Sequence, residues 1–258
     1  MRLKAQLVAR HQQDKVSPPN GQVNNTYLCR CFWQVGNVSG TWPEMELTSG
    51  DIPASMRRRL TSLGRRAITM LYAVLASLDN KDIAWVVSSR HGDTDRMANL
   101  LTGLSQKELL SPTDFSMSVH NAIMGMFSIA TGNTQMQTSL SGGALSFETG
   151  LLEALALQKD KNSTVGYIYY DAPLPSHYNS IYKNNESEIC TIIILKSDKG
   201  QADFKEKSRA FKINFIRDSA AFFEGQAGGA FSFLNFIQSN ENSFSLHVPG
   251  GAIHVEQI

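Results

Sequence analysis

The chain has 258 residues, of which 42% are hydrophobic and 18% charged, and this is the composition of a folded protein with a sizeable core. A formal net charge of +1 excludes an overall attraction to nucleic acid or to anionic membranes, so we expect neither as a partner. Three cysteines without regular spacing exclude a disulfide framework and favour a reducing compartment, and we expect a cytoplasmic protein.

Residues 1–26 are expected to form a loosely ordered segment, because SPPNGQVNN (17–25) has the composition of a loop. The opening stretch lacks the continuous apolar core of a signal peptide. TYLCRCFWQV, from Thr26, is rich in β-branched and aromatic residues and predicts a strand. Its Cys29 and Cys31 lack the spacing and the nearby histidine of a zinc site, and we expect both on one face of the strand.

Helix and strand patterns alternate from Pro53 to Leu195, which predicts an α/β layered sheet. Apolar residues at helical spacing predict one continuous helix from Pro53 to Leu78. Gly125, inside a later apolar helix, indicates that another backbone passes close to it. Buried strands are predicted from the apolar runs IAWVVSS, TVGYIYYDAP and ICTIIIL, and the last run is too short to span a membrane.

The pattern weakens beyond Ser197, where a charged stretch precedes one more apolar helix, GGAFSFLNFIQ, and a strand, SFSLHV. We therefore assign residues 27–200 to the main α/β domain and residues 201–258 to a C-terminal extension of the same domain. No internal repeat or low-complexity tract divides the chain further.

A short strand and a helix meet at MQTSLSGGALSFETGLLEALAL, with small residues at the bend between them. Many enzymes place a nucleophile at such a bend, because the helix N-terminus presents free N–H groups and a partial positive charge. The residue in this bend is Leu140, which offers no nucleophile. A hydrolase that uses Ser139 or Ser141 with His120 as base is the alternative, although capping of the helix that starts at Gly142 or soon after it is a sufficient role for Ser141.

Two further segments are polar enough to bind a partner. Five arginines fall within MRRRLTSLGRR (56–66), and helical spacing places them on the solvent side. Arginine binds phosphates and carboxylates through its planar guanidinium group, so this segment is either a solvated helix face or a docking surface for an acidic partner. The polar loop SSRHGDTDR (88–96) directly follows a buried strand, and ligands gather at the carboxyl ends of strands in α/β sheets.

The segment 88–157 resembles the N-terminal half of the β-ketoacyl synthases of the thiolase fold. Those enzymes have a Ser-Pro turn, an Asn-x-x-x-Gly-x-x-Ser-Ile helix and then a strand that ends in Thr-Ala-Cys. The matching positions here are Ser111-Pro112, Asn121, Gly125, Ser128, Ile129 and Thr138-Ser139-Leu140. SSRHGD, SPTDFSMSVHNA and ETGLLEAL resemble more closely the short chain length factors of aryl polyene biosynthesis, which are inactive partners of a competent ketosynthase.

This resemblance implies a layered thiolase-like α/β fold, with an N-terminal ketosynthase half and a truncated or remodelled second half. Leu140 stands where an active ketosynthase has its nucleophilic cysteine. The Gly-His-Gly-Thr and Gly-Phe-Gly segments that supply the catalytic histidines do not occur after Leu195. Because acyl transfer needs a thiolate, we expect no catalytic residue, and the resemblance implies no metal and no cofactor.

The resemblance also implies partners and the surfaces that would bind them. An active β-ketoacyl synthase would form a heterodimer through the strand before the bend and the helix before that strand, with interface residues Asn121, Gly125, Met136, Gln137, Thr138 and Ser139. The residues that would face this partner and its acyl tunnel are Arg90, His91, Asp93, Thr113, Asp114, Phe115, Met117 and Met124, with Phe115 as the tunnel floor. An acyl carrier protein would dock transiently on the basic segment, at Arg57, Arg58, Arg65 and Arg66.

Three functions follow from these observations. The first is a non-catalytic chain length factor that shapes the acyl tunnel of a ketosynthase in polyene or fatty-acid-type chain elongation. The second is a stand-alone acyl-transfer enzyme or hydrolase that uses Ser139 or Ser141 with His120. The third is a module that simply binds an acyl chain or a carrier protein.

Overall fold

The long strand β1 (Thr26–Val35) lies at the centre of the structure, a computed structural model that describes residues 25–46, 51–161, 163–178, 187–197, 210–218 and 228–258. Residues 1–24 of the predicted N-terminal segment and most of the charged stretch after Ser197 lie outside the described residues. Thr26 is fully buried as the first residue of β1. The strand predicted from TYLCRCFWQV is therefore confirmed over its whole length.

The remaining strands alternate with helices along the chain. The strands are β2 (Val38–Trp42), β3 (Ala84–Ser88), β4 (Gln137–Leu140), β5 (Val165–Asp171), β6 (Ile189–Lys196), β7 (Phe211–Arg217), β8 (Ser243–Val248) and β9 (Gly251–Gln257). The helices of the described residues are α1 (Ala54–Arg57), α2 (Ser62–Ala76), α3 (Thr94–Ser105), α4 (Pro112–Met117), α5 (Ala122–Thr131), α6 (Ser146–Lys161) and α7 (Gly229–Gln238).

All nine described strands belong to one mixed sheet. Its order is β4-β3-β5-β6-β1-β7-β9-β8, and β2 pairs with the second half of β1. β3 pairs in parallel with both β4 and β5, whereas the other pairs are antiparallel. Within the described part of the chain β4 pairs only with β3, so it forms one edge of the sheet. The predicted α/β class is confirmed.

Helices cover both faces of this sheet, which explains the continuous apolar runs in the sequence. On one face α6 and α7 pack against β5 and β6 through buried side chains such as Leu151, Phe233 and Tyr167. On the other face α2 and α5 pack against the same sheet through Leu71, Phe127 and neighbours. Strands that are buried on both faces do not alternate polar and apolar residues, and β3, β5 and β6 are buried along their whole length except at Lys196, with mostly apolar side chains.

The C-terminal residues extend this sheet. β7 pairs antiparallel with the first residues of β1, and the hairpin of β8 and β9 continues the sheet beyond β7. α7 covers the same face as α6, where Phe233 contacts Phe147 with ring centroids 5.5 Å apart. The described part of 201–258 therefore shares one sheet and one apolar core with the residues before it.

Two local predictions from the sequence are wrong. The helix predicted from Pro53 to Leu78 is interrupted, because α1 ends at Arg57 and α2 begins only at Ser62. The side chain of Thr61 accepts a hydrogen bond from the Gly64 amide, and this N-cap starts a new helix. Gly125 has open space where a Cβ atom would lie, so among the described residues no backbone passes close to it.

Cys29 and Cys31 lie on opposite faces of β1, and not on one face as predicted. The pairing of β1 with β6 shifts by one residue between Leu28 and Arg30, which makes Cys29 the extra residue of a β-bulge. Cys31 consequently packs with α6 and α7, whereas Cys29 packs with α2. Burial raises the pKa of the Cys31 thiol to about 12, so this group is unreactive.

No helix within the described residues is long and apolar enough to cross a membrane.

Candidate functional site

The bend between β4 and α6 is a closed turn whose central side chain is apolar. β4 ends at Leu140, which is half-buried against the core, and a single 3-10 turn (Gly143–Leu145) leads into α6. The Ser146 hydroxyl accepts a hydrogen bond from the Gly142 amide (3.0 Å) and donates one to the Gly143 carbonyl (2.8 Å). Leu140 can supply neither a thiolate nor a hydroxyl to this bend.

The serine–histidine alternative is not supported by the geometry of its members. The Ser141 hydroxyl donates to the Arg90 carbonyl (3.2 Å) and lies 3.4 Å from the Ser146 hydroxyl, so Ser146, and not Ser141, caps the turn. The Nε2 atom of His120 lies 3.1 Å from the Ser89 carbonyl and donates to it. Its Nδ1 atom lies only 3.2 Å from where a Cβ atom on Gly92 would stand, and within the described residues no hydrogen bond joins His120 to a serine side chain.

The loop after β3 is held by a buried carboxylate from the neighbouring strand. Asp171, at the end of β5, accepts hydrogen bonds from the His91 amide (3.1 Å) and the Ser89 hydroxyl (3.3 Å). The Nδ1 atom of His91 lies 3.6 Å from the second carboxylate oxygen. Burial raises the pKa of Asp171, although these neighbours oppose the rise. Asp171 therefore fixes the loop that carries the predicted partner-facing residues Arg90 and His91.

Arg96 is a buried cation that sequence reasoning missed. Its Nε atom donates to Asp93 (3.1 Å), its Nη2 atom donates to the Arg59 carbonyl (2.7 Å), and its Nη1 atom donates to Asp114. The Thr61 hydroxyl also donates to Asp93 (3.0 Å). The one signal in the sequence is the spacing of Asp93 and Arg96, which a helix brings together at positions i and i+3.

The predicted partner-facing residues of α4 and α5 differ in exposure. Phe115 is 65% exposed, Thr113 is exposed, and Met117 is half-buried. Met124 is 1% exposed and packs in the core against α2, so it cannot face a partner and this prediction is wrong. The reason is helical periodicity, because an apolar helix that covers a sheet must turn some of its methionines inward.

The predicted interface residues meet at the free edge of the sheet. Asn121 and Met136 are exposed, and Gly125, Gln137, Thr138 and Ser139 are half-buried. A cavity of about 380 Å³ separates the start of α5 from β4, and its lining consists of His120, Asn121, Gly125, Gln137 and Ser139.

Exposed apolar side chains concentrate in the segment of the chain that leads to this edge. Nine of the twelve large hydrophobic residues that are exposed in the described chain lie between Met97 and Met136, on α3, α4, α5 and their connections. They are Met97, Leu101, Leu104, Leu109, Leu110, Phe115, Val119, Ile129 and Met136, which we name the apolar surface. Exposed apolar residues clustered in this way mark interaction sites.

The basic segment is exposed in part. Arg57, Arg58 and Arg65 are exposed, and Arg65 donates to the Arg57 and Leu60 carbonyls. Arg66 instead forms an ion pair with Glu188 (2.9 Å), so its charge is already paired within the chain. A cavity of about 410 Å³ lies beside the segment, and its lining includes Arg58, Arg59, Arg96, Glu108 and Asp114.

Among the described residues, no group of three or more His, Cys, Asp and Glu side chains could hold a metal ion.

Solved structures of ketosynthases are similar to this chain. A ketosynthase, ApeO, in complex with its chain length factor, ApeC, from Xenorhabdus doucetiae matches with 25% identity and a TM-score of 0.64, covering 83% of this chain and 84% of that chain. A type II polyketide synthase acyl carrier protein in complex with its ketosynthase, AntDE:AntF, matches with 10% identity and a TM-score of 0.59 over 91% of this chain and 99% of that chain. A β-ketoacyl synthase from Burkholderia phymatum matches with 10% identity and a TM-score of 0.55 over 76% and 65%.

No curated protein sequence is significantly similar to this chain. The family model described as beta-ketoacyl synthase, N-terminal domain, matches residues 33–252, which include every described helix and nearly every strand discussed above. The thiolase-like layered fold inferred from the motifs around Asn121 and Leu140 is confirmed by these matches. The chain belongs to the family of the β-ketoacyl synthase N-terminal domain.

Proposed function

We propose that this chain is a chain length factor, a non-catalytic subunit that pairs with an active ketosynthase and limits the length of the acyl chain built there. The observation that carries the proposal is the outer edge of β4, which pairs with no other strand of the described residues, together with the exposed side chains of the apolar surface. An exposed strand edge invites pairing with another chain, and proteins protect such edges unless a partner covers them. The similarity to a ketosynthase in complex with its chain length factor supports the same assignment.

The backbone of β4 has hydrogen-bonding groups free for such pairing. The carbonyls of Met136 and Leu140 accept hydrogen bonds from the amides of Trp85 and Ser89, so these two residues of the strand point toward β3. Because successive residues of a strand point their amides to opposite sides, Gln137 and Ser139 direct theirs away from β3. The same strand of a ketosynthase would add to this edge and continue the sheet across both subunits.

The apolar bend explains why the chain would need a catalytic partner. Leu140 occupies the nucleophile position of the family, and Ser141 and His120 are bonded to backbone carbonyls. A thiolate for acyl transfer would therefore come from the other subunit.

The proposed control of chain length is steric. Phe115 projects from α4 with 65% of its surface exposed, and it belongs to the apolar surface. A bulky ring at the floor of a closed tunnel resists an additional two-carbon unit, because overpacking a filled cavity is costly. The acyl chain could belong to an aryl polyene or to a fatty-acid-type product, and the acyl carrier protein would dock on the exposed arginines Arg57, Arg58 and Arg65.

Two measurements test the proposal, first the identity of the bound partner and then the length of the acyl product. A tagged chain purified from its native cells should carry a cysteine-bearing ketosynthase in a one-to-one complex, identified by mass spectrometry and intact mass. Phe115→Ala in that complex should lengthen the product by at least one two-carbon unit, because the tunnel floor recedes. Ile216→Ala removes another exposed apolar side chain, 53% exposed, from β7, away from the β4 edge, and should leave the product unchanged.

Two results would contradict the proposal. A chain that is a stable monomer and binds only carrier protein would be a simple binding module. Acylation of the isolated chain at Ser139 or Ser141 by an activated acyl ester would instead indicate a stand-alone enzyme.

A further inference from the structure

We infer that Arg96 is a positioning residue that sets where α4 presents Phe115, and this inference rests on the proposed chain-length-factor function. α4 has six residues, and none of them is buried. A helix of that length is not stable on its own, and Met117, its last residue, is the one that packs partly against the core. The position of its first turn, which carries Asp114 and Phe115, must therefore depend on polar contacts to its neighbours.

Arg96 supplies the strongest of these contacts. Its guanidinium group is buried, with 8% of the side chain exposed, and it donates to the carboxylate of Asp114 in α4. Asp114 directly precedes Phe115, so a contact that fixes the Asp114 carboxylate also restricts the position of the Phe115 backbone. The N-cap Ser111 accepts a hydrogen bond from the Asp114 amide (3.2 Å), which completes the attachment of the first turn.

The remaining nitrogen atoms of the Arg96 guanidinium group are also hydrogen-bonded. Asp93 accepts from the Arg96 Nε atom (3.1 Å) and from the Thr61 hydroxyl (3.0 Å), and the Arg59 carbonyl accepts from Nη2 (2.7 Å). A buried guanidinium with three partners costs more to move than a surface ion pair, because water does not readily replace the charged hydrogen bonds that the buried group would lose. Arg96 thus transmits the position of the α1–α2 connection to α4.

This connection belongs to the basic segment proposed to receive the carrier protein. Arg58 and Arg59 line the cavity of about 410 Å³ together with Arg96 and Asp114. The docking surface and the tunnel floor are consequently attached to one guanidinium group. Only arginine suits this place, because its planar fork reaches three divergent acceptors whereas a lysine ammonium is a single point charge.

The experiment uses the full heterodimer and measures the distribution of product lengths. Asp114→Ala is the first variant, because Asp114 is 48% exposed and its loss leaves Arg96 bonded to Asp93 and Arg59. Arg96→Lys is the second variant and keeps the charge without the fork. Arg217→Ala removes an exposed arginine from β7 and is the matched control.

In both variants we expect the heterodimer to form and the share of the main product to fall by about threefold, with shorter and longer chains appearing, because small displacements of a positioning group have large effects on a bound chain. Asp114→Glu keeps a carboxylate within reach of Arg96 and should restore the narrow distribution. A purely structural role would instead lower the yield of complex and leave its product lengths unchanged.

The inference is distinguishable from the function on which it rests. A product shift with Phe115→Ala but an unaltered distribution with Asp114→Ala and Arg96→Lys would overturn the positioning role and leave the chain-length-factor function intact. Absence of a heterodimer, or an unchanged product with Phe115→Ala, would overturn both.

Discussion

Glu148 is a carboxyl group in the first turn of α6 that the fold buries almost completely. It is 3% exposed, and its Oε2 atom has no hydrogen-bond partner within the described structure. Its other oxygen lies against Gly229 at the start of α7, where a Cβ atom would stand only 1.8 Å from it. Burial raises the pKa of Glu148 to about 7, and this is the dominant cause of the shift.

This raised pKa makes stability depend on pH. Because the folded protein binds the Glu148 proton below about pH 7 and the unfolded chain binds it only below about pH 4.5, the folded state holds more protons in between. The free energy of unfolding should therefore increase as the pH falls from about 7 to about 4.5, by roughly 3 kcal/mol for this group alone. Glu148→Gln should remove that increase in urea unfolding experiments at several pH values.

A second carboxyl group of α6 provides the control for Glu148→Gln, and Asp171 contributes a further dependence of stability on pH. Glu153→Gln makes the same chemical change on the same helix and should retain the pH dependence of the wild type. Burial also raises the pKa of Asp171, so a smaller dependence of the same sign should remain in Glu148→Gln. A wild-type protein whose stability is constant, or falls, as the pH decreases from about 7 to about 5 would contradict the raised pKa of Glu148.

At the scale of the elements, β4 is the strand whose outer edge the proposed heterodimer would use. Ser139 directs its amide away from β3, so Ser139→Pro removes an outward donor without removing a hydrogen bond of the β3–β4 pair. The dissociation constant of the heterodimer should rise by about tenfold, which corresponds to one lost backbone hydrogen bond with its local strain. Titration of the labelled partner ketosynthase with the variant measures this change.

Ser139→Ala is the matched control for that variant, because it loses the hydroxyl and keeps the backbone donor. It should bind the partner as the wild type does. Equal binding by Ser139→Pro and Ser139→Ala would mean that the heterodimer, if formed, does not use the outer edge of β4.

The elements that the sequence predicts well are those whose burial is uniform. β3, β5 and β6 are buried on both faces, and their mostly apolar runs can be recognised without knowledge of their neighbours. The interruption between α1 and α2 has a local cause as well, but the cap at Thr61 competes with an apolar period that continues past it. The bulge at Cys29 depends on the register with β6, which a single strand cannot reveal.

Some residues of the candidate site can also be recognised from the sequence, and others cannot. The bend at Leu140 and the exposed Phe115 are recognisable from motifs because they are local features of one segment. The roles of Arg96 and Asp171 depend on contacts with other elements, so the sequence indicates only that they are charged. The burial of Met124 is decided by which face of α5 meets α2, and the apolar pattern of α5 does not distinguish its two sides.

At the scale of the whole molecule, β1 joins residues that are far apart in the chain. It pairs with β6 along most of its length, with β7 at its start and with β2 at its end. Helices α6 and α7 cover one face of the sheet, over the strands before residue 197 as well as over β7, β8 and β9. A sheet shared in this way leaves no boundary at which the C-terminal strands could separate from the rest without exposing the core.

This arrangement predicts a single cooperative unfolding transition for the isolated chain. Trp42 packs against Phe211 of β7 with ring centroids 4.9 Å apart, and Trp85 packs against Phe127 of α5 at 6.1 Å. A variant that retains only Trp42 reports on the packing against β7, and a variant that retains only Trp85 reports on the packing against α5. In each variant the fluorescence and circular dichroism midpoints in urea should coincide, because both parts lose the same sheet. A Trp42 midpoint that precedes the circular dichroism midpoint, with Trp85 unaffected, would instead show that β7, β8 and β9 unfold as an independent unit.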